Sequence, residues 1–533
     1  MNSLSVHADL PGENTGGSSW PWALLALAIC FLAISNQSLW IDEAFMASKA
    51  SQRTLTDWWH MMPKGSGSDL QMPLYMIYMW GFAKIFGLAE WTLRAANIPW
   101  FVAGAAAFVP AFPKSQRFAA AAVTLLCPFA WFYLNEARPY AMQLGTSLVI
   151  FAALYRLSGD VARDPHHERN WVAAFWLSII VLCGSSLLGV IWACAAILSM
   201  FFLFSHKRLM QLLRAHWLSC LLSAVLLAAL AGYYVWTIKL GTRDLEAAGK
   251  PGGSAALTAV KSAAHFRQGF SGGTELQSLA YLFYELLGFS GLGPGKLQIR
   301  TAGFSVFRHF APQLALYALT LGSLFIFAAA RLLRPPLLEK RIALALVTLL
   351  PMLLLLVAGY FLGFLVLARH CTPVISVLLF MLGFGIHSAC SRGGVFFKFL
   401  VAAFLALSLF SCLSLRFALR HEKDDYRDAA QAARTALDRA QKVWWSAAED
   451  GGAYYHVPLS AEPDKAGAAF LVLNPTPQAL SVFPSPDLVI TSKPDLYDNQ
   501  EALAKYVHNN PYTQIAVFPA FAVWQRKSSQ IHD

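Results

Sequence analysis

The stretch Ile342–Phe364, IALALVTLLPMLLLLVAGYFLGF, decides the fold class. It contains no charged side chain, and at about 1.5 Å of rise per residue a helix of this length crosses a hydrocarbon core of about 30 Å. A buried helix of a soluble domain rarely needs so long an apolar run. The pattern returns at Trp217–Ile238 and Phe399–Leu415. Over the 533 residues 57% are hydrophobic and 13% charged, roughly half of the ~25% charged residues usual in soluble domains. These features together describe an all-α polytopic membrane protein.

Working outward from this block, spans are expected near 20–39, 92–112, 118–134, 140–157, 171–185, 187–204, 217–236, 311–331, 342–362, 371–390 and 399–415, about eleven in all. Pro73–Leu88 is apolar too, but it is about sixteen residues long, contains Lys84 and ends at Gly87, which suits an interfacial or re-entrant helix. Leaving it out of the threading puts fourteen Lys and Arg residues, from Lys114 to Lys398, in five connectors on one side. The short opposite connectors, 135–139, 185–187 and 363–370, hold only Arg138 and Arg369. The positive-inside rule then places the N-terminus in the cytoplasm and the C-terminus outside, in a membrane expected to be a bacterial inner membrane. The first nineteen residues carry no Lys or Arg, so Trp20–Leu39 reads as a retained first helix and residues 1–19 as a cytoplasmic tail.

The formal charge of +11 is distributed through the connectors as membrane topology requires, which argues against a nucleic-acid partner. All eight cysteines lie in or beside apolar segments, so neither a disulfide framework nor a CxxC zinc site is visible, and packing is the expected role.

Three regions follow. The transmembrane domain covers 20–415, with outer loops 40–91 and 237–308, the second rich in Gly and Ser and expected to be mobile. After Leu415 the composition changes. His421–Gln441 has helical spacing, β-like runs occur at Ala469–Leu473, Asp487–Thr491 and Gln514–Phe518, and Asp498–His508 reads as a helix. A small extracytoplasmic α/β domain over 416–533 is the reading.

Four charged constellations fall on the outer side. Trp40-Ile41-Asp42-Glu43-Ala44 places two carboxylates at the bilayer interface, where low dielectric favours a proton acceptor. The same pair suits the first turn of a helix, and the two roles are compatible. Asp69-Leu70-Gln71-Met72-Pro73-Leu74-Tyr75 enters the short helix, with Asp69 readable as a loop residue and Pro73 as a first helical residue. Asn135-Glu136-Ala137-Arg138-Pro139-Tyr140 packs an acid and a base into one short connector, either as a site or as an interfacial charge pair. Ala368-Arg369-His370 supplies a planar donor fork suited to phosphate oxygens, or a snorkelling side chain. Gly291-Leu292-Gly293-Pro294-Gly295-Lys296 lacks the Walker spacing and reads as a turn.

In order, the acidic pair after the first span, the Pro-Leu-Tyr helix, Phe86-Gly87 with Arg94, Glu-Ala-Arg-Pro-Tyr at 136–140 and Arg369-His370-Cys371-Thr372-Pro373 resemble the GT-C membrane glycosyltransferases. The likeness is to the family 39-like branch, related to protein O-mannosyltransferases and the lipid A aminoarabinose transferase. It is clearest over 39–140 and does not reach the C-terminal domain.

The resemblance implies transfer of a sugar from a polyprenyl-phosphate donor to an acceptor hydroxyl, a glycan, lipid or protein, at the outer face of the inner membrane, with inversion. Carried onto this chain, Asp42 is the base and Glu43 positions acceptor or donor. Arg138, Arg369 and His370 hold the lipid phosphate, and Asp69, Glu136 and Tyr140 bind substrate. Two departures stand out. Phe45 replaces the Arg that aminoarabinose transferases carry three residues after the Asp, which puts lipid A as acceptor in doubt, and His370 replaces the usual aromatic. Some GT-C enzymes use a divalent metal, although these residues form no obvious ligand set. A transporter or flippase for a lipid-linked sugar is the alternative. It would require ionisable groups near the midplane and paired helix breaks, whereas the acidic residues here gather on the outer side.

Overall fold

The computed structural model describes residues 18–63, 69–158, 165–248, 276–332, 338–362 and 365–527. Each apolar block read as a span is helical over most of its length, although the first, 20–39, is helical only to Ala33. The first part of the chain forms α1 (Trp20–Ala33), α2 (Ile41–Ala50), α3 (Leu55–Met61), α4 (Pro73–Phe86), α5 (Glu90–Ala95), α6 (Ile98–Ala111), α7 (Lys114–Leu125), α8 (Pro128–Leu134) and α9 (Tyr140–Leu157). Later helices include Pro165–Ser185, Gly189–Leu203, Trp217–Ala248, Ala311–Leu332, Leu338–Leu362, Ile375–Arg392 and Val395–Phe417. Among the described residues five helical stretches, Trp217–Lys239, Lys296–Ala330, Ile342–Phe361, Ala368–Ser391 and Val395–Phe417, are long and apolar enough to cross a bilayer. The chain is an integral membrane protein. The other expected spans are helices that are shorter or more polar, so length and composition qualify fewer than the eleven expected.

Two expectations need correction. The block 118–134 is two helices bent by 49°, not one. The break falls at Pro128, whose ring and missing N–H interrupt the helical ladder. The outer stretch 237–308 is partly ordered: the helix from Trp217 runs on to Ala248, and Leu276–Leu286, Lys296–Ala302 and a 3₁₀ turn at Gly303–Phe310 follow. Its Gly-rich centre, 249–275, lies outside the described residues, as do 1–17 of the expected N-terminal tail. The outer segment 40–91 carries the short helix expected from Pro73 and two more before it. There Thr54 caps α3, its hydroxyl accepting from the Asp57 N–H at 3.1 Å while the Asp57 carboxylate accepts from the Thr54 N–H at 3.3 Å. Pro73 starts α4, and Gly87, at φ +90°, ends it.

Close helix packing positions the connector that carries Arg138. A Cβ on Gly145 of α9 would sit 2.1 Å from the Trp100 carbonyl oxygen of α6, and one on Gly104 would sit 2.8 Å from the Gly145 Cα. Only glycine lets these two backbones approach so closely.

The C-terminal domain holds a six-stranded sheet in the order β2-β3-β1-β4-β6-β5. Its strands are β1 (Val443–Ser446), β2 (Leu459–Ser460), β3 (Ala469–Leu471), β4 (Leu488–Ser492), β5 (Tyr512–Phe518) and β6 (Phe521–Arg526). β2, β3, β1 and β4 run parallel, with Val443 opposite Leu488, and the β5–β6 hairpin adds antiparallel to β4. The expected helix at 421–441 is shorter, Tyr426–Asp438, and that at 498–508 is Ala502–Asn509. The domain docks directly on the bundle. Ile41 of α2 packs against its apolar core, and the Tyr455 hydroxyl accepts from the Leu39 N–H at 2.8 Å and donates to Glu90 at 3.0 Å. Arg427 donates to the same Glu90 carboxylate at 2.7 Å.

Candidate active site

Asp42 is the second residue of α2, beside the seam between bundle and C-terminal domain. Its Oδ2 lies 3.2 Å from Arg369 Nη1, and the two side chains are 29% and 27% exposed. Arg138 Nη1 donates to the Asp42 carbonyl at 3.2 Å and to Asp69 Oδ1 at 3.2 Å. Asp69, fully buried, also accepts from Lys49 Nζ at 2.6 Å. Four segments therefore meet here: the start of α2, the 3₁₀ turn Asp69–Gln71 that precedes α4, the 135–139 connector and the 3₁₀ turn Ala368–Val374.

The guanidinium of Arg369 lies over the Tyr140 ring at 5.9 Å, and Tyr140 packs edge-on against Tyr133 at 4.8 Å. Among the described residues the Nε–H groups of Arg138 and Arg369 and the hydroxyl of Tyr75 are buried without a hydrogen-bond partner. Buried donors normally find acceptors. Two guanidiniums with donors to spare therefore suit an incoming anion. Around this pair the cations Lys49, Arg94, Arg138, Arg369 and Lys423 interleave with the carboxylates Asp42, Glu43, Asp69 and Glu136, with Glu90 and Asp450 close by. Burial raises the Glu136 carboxyl against the opposing pull of Lys423 and Lys296.

Glu43 is placed differently from a substrate-positioning group. It is 0% exposed, and its oxygens accept from Arg94 Nε at 2.9 Å, Arg94 Nη2 at 2.7 Å, the Ala137 N–H at 2.7 Å and Lys423 Nζ at 3.0 Å. Burial alone raises this carboxyl, but Arg94 and Lys423 and the hydrogen bonds from Arg94 and Ala137 outweigh it and hold it at about 2. Arg94 itself uses all five N–H donors, the remaining three on the carbonyls of Ser35, Gln37 and Ser38. Glu43 thus fixes the start of α2 to the 135–138 connector and leaves no surface for a substrate. His370 is also committed in part: its Nδ1 accepts from the Leu367 N–H at 3.2 Å.

With this geometry established, the chain can be set beside known proteins. No protein-family model matches the sequence, and no curated protein matches it. Its fold is similar to that of ArnT from Cupriavidus metallidurans. In the apo state of that protein the TM-score is 0.50 at 12% identity, covering 95% of this chain and 97% of ArnT. The structure of the same ArnT bound to undecaprenyl phosphate aligns with a TM-score of 0.49 and 13% identity, covering 96% and 99% of the two chains. Arabinofuranosyltransferase AftD from Mycobacteria aligns with a TM-score of 0.42 and 12% identity, covering 96% of this chain and 40% of AftD. The GT-C-like fold read from the sequence, a helical membrane domain followed by a small α/β domain, is thereby borne out, and at these identities the likeness speaks for fold.

Among the described residues no group of three or more His, Cys, Asp or Glu side chains is arranged to hold a metal ion. The donor set explains why. Asp42 and Asp69 are each paired with cations, and Glu43 is enclosed by two. Such carboxylates do not fit a divalent ion.

Lys49 and Lys423 belong to this network, yet nothing in the sequence singles them out. Lys423 sits in the charged run His421-Glu422-Lys423-Asp424-Asp425, at the start of the stretch 421–441 read from its spacing as a helix. Arg94 enters only through the resemblance, as a cation after Phe86-Gly87.

Proposed function

We propose that this chain is a membrane glycosyltransferase that moves a sugar from a polyprenyl-phosphate donor to an acceptor hydroxyl at the outer membrane face, inverting the anomeric centre. The observation that carries this reading is the pair of buried, unpartnered Nε–H donors of Arg138 and Arg369 beside the partly exposed carboxylate of Asp42. What the neighbour's structure is described as binding, undecaprenyl phosphate, has the headgroup chemistry these two side chains would take.

In this reading Arg138 and Arg369 hold the donor phosphate, and Tyr140 supports Arg369 from beneath. Asp42 accepts the proton of the acceptor hydroxyl as its oxygen attacks the anomeric carbon. The bond from that carbon to the phosphate oxygen breaks, and the polyprenyl phosphate leaves with the electron pair. The guanidiniums stabilise the charge that grows on it. A single carboxylate acting as base is sufficient for an inverting displacement. Glu43 would act at a distance from the chemistry by fixing Asp42 and the 135–138 connector together. The paired charges gather at helix ends around one seam, an arrangement better suited to a surface reaction on a lipid headgroup than to carriage across the midplane.

The test is sugar transfer by the purified protein, presented with polyprenyl-phosphate sugars in detergent or nanodiscs, for wild type and Asp42→Asn. The reading expects turnover by wild type and its loss in the variant. Equal turnover by both would remove Asp42 as base. Movement of a lipid-linked sugar across liposomes without any transfer would replace the enzyme by a transporter.

A further inference from the structure

The segment joining the last membrane helix to the C-terminal domain passes through the candidate site. After Val395–Phe417 and the 3₁₀ turn Leu419–His421, the chain runs extended to Asp425 before Tyr426 starts the next helix. Lys423 in this segment turns inward, its side chain 11% exposed. Its ammonium donates to Glu43 Oε2 at 3.0 Å and, in a short hydrogen bond, to the Asn135 carbonyl. Each acceptor is next to a residue with an assigned role. Glu43 adjoins Asp42, and Asn135 begins the connector whose Ala137 N–H bonds Glu43 and whose Arg138 reaches Asp42 and Asp69. Asn135 is itself anchored, its Oδ1 accepting from the Ser35 N–H at 2.8 Å and the Ser35 hydroxyl at 2.9 Å.

We infer that Lys423 is a positioning residue, through which the docked C-terminal domain sets the spacing between the Asp42 carboxylate and the Arg138 guanidinium. This rests on the proposed glycosyltransferase reading for its consequence, though not for its geometry. One ammonium bridges the Glu43 carboxylate on α2 and the Asn135 backbone carbonyl, which no other described side chain joins from the C-terminal side. Remove its charge and Glu43 keeps Arg94 and the Ala137 N–H, but the Asn135 carbonyl loses the donor through which the C-terminal domain holds the connector toward α2. The C-terminal domain then acts as part of the site rather than as an appendage: when it is docked, the base and one phosphate arm are in register.

The groups facing the ammonium are Arg94, Glu43 and Glu136, together with the Asn135 carbonyl. Burial lowers Lys423 first, Arg94 lowers it further, and Glu43 and Glu136 pull the other way, leaving it at about 8. Its charge is therefore present below about pH 8 and is lost as pH rises through that value. Arginine at this position would keep its charge throughout.

The experiment uses the full chain in nanodiscs as wild type, Lys423→Arg and Lys423→Met. Two readouts are taken between pH 7.5 and 9.5: affinity for undecaprenyl phosphate and hydrogen exchange at the Ala137 amide. In Lys423→Met the lipid affinity is expected to fall roughly tenfold or more, the scale of one lost charge-assisted hydrogen bond, and Ala137 to lose protection. Lys423→Arg restores both. Wild type weakens with rising pH while Lys423→Arg does not. Equal Ala137 protection in all three proteins, or the same pH dependence in wild type and Lys423→Arg, overturns the inference even where Lys423→Met folds poorly. If wild type does not bind undecaprenyl phosphate while Ala137 protection still follows residue 423, the donor assignment fails and the clamp stands.

Discussion

The Asp42 carboxylate lies 3.2 Å from the Arg369 guanidinium although 327 residues separate them in the chain. Their side chains are each a little over a quarter exposed, so this is a pair that solvent and a ligand can reach. A buried structural ion pair must saturate its hydrogen bonds to offset the cost of desolvation, as Glu43 and Arg94 do beside it. The contrast divides the acidic pair into two jobs. Asp42 faces the seam with an oxygen to offer, and Glu43 is locked beneath it.

That division predicts different phenotypes for the two neighbours. Asp42→Asn keeps the shape of the side chain, still accepts a hydrogen bond from Arg369, and removes the proton acceptor. Transfer is expected to fall by roughly 10²–10⁴-fold, the range for loss of a general base, while undecaprenyl phosphate affinity and melting temperature change little. Steady-state transfer and thermal unfolding on the same preparation check this. A collapse of folding in place of a loss of rate would make Asp42 a structural residue.

The arginines are expected to act on binding. Arg138→Lys and Arg369→Lys keep the charge but lose the Nε–H donor and the planar fork, so each should weaken undecaprenyl phosphate binding by about tenfold. Arg138→Lys also loosens the bond to Asp69, and Arg369→Lys loosens the pair with Asp42 and the stacking on Tyr140. Titration calorimetry or a lipid-binding assay on the two variants is the measurement. Unchanged affinity in both would place the phosphate elsewhere.

How much of this was readable beforehand depends on which physical signal each part leaves in a sequence. Apolar blocks such as Ile342–Phe364 announce membrane helices by length alone. Asp42, Arg138 and Arg369 stand out because a charge beside an apolar segment is costly unless it has a purpose. The separation of Asp42 from Glu43 was not legible, since adjacent carboxylates look alike until Arg94 and Lys423 are folded against one of them. Lys423 was hidden for the opposite reason: in a run of charged residues one buried ammonium leaves no trace. In the C-terminal domain β1, Val443-Trp444-Trp445-Ser446, is four residues long, fully buried and without alternation, so periodicity has nothing to work on. The break at Pro128 was signalled by the proline, but continuous hydrophobicity on both sides masks it.

The approach of α6 to α9 yields a stability prediction independent of function. In Gly145→Ala the new Cβ meets the Trp100 carbonyl oxygen at 2.1 Å, and a backbone atom cannot swing away as a side chain can. The helices must part, at a cost of about 1–3 kcal/mol, and the melting temperature should drop. Gly81→Ala in α4, where nothing lies within 4 Å of the new Cβ, should leave it unchanged or slightly raised. Similar melting of both variants would mean that α6 and α9 do not pack through Gly145.

Glu43 links folding to acid. Burial opposes its ionisation, yet Arg94 and Lys423 and the hydrogen bonds from Arg94 and Ala137 hold it at about 2, below the ordinary value of 4.5. A carboxyl lowered on folding contributes stability that is complete above its unfolded value and disappears as pH falls through the folded one. The contribution should therefore be whole above about pH 4.5 and fade between there and about 2. Glu43→Gln abolishes it and leaves Arg94 and Lys423 buried without their counter-charge, a loss of about 3–5 kcal/mol for breaking a buried pair from one side. Melting temperatures of wild type and Glu43→Gln should differ widely at neutral pH and converge as the solution is acidified through that window. If the two proteins already melt together at pH 7, Glu43 does not hold α2 to the 135–138 connector, and the separation of roles between Asp42 and Glu43 fails with it.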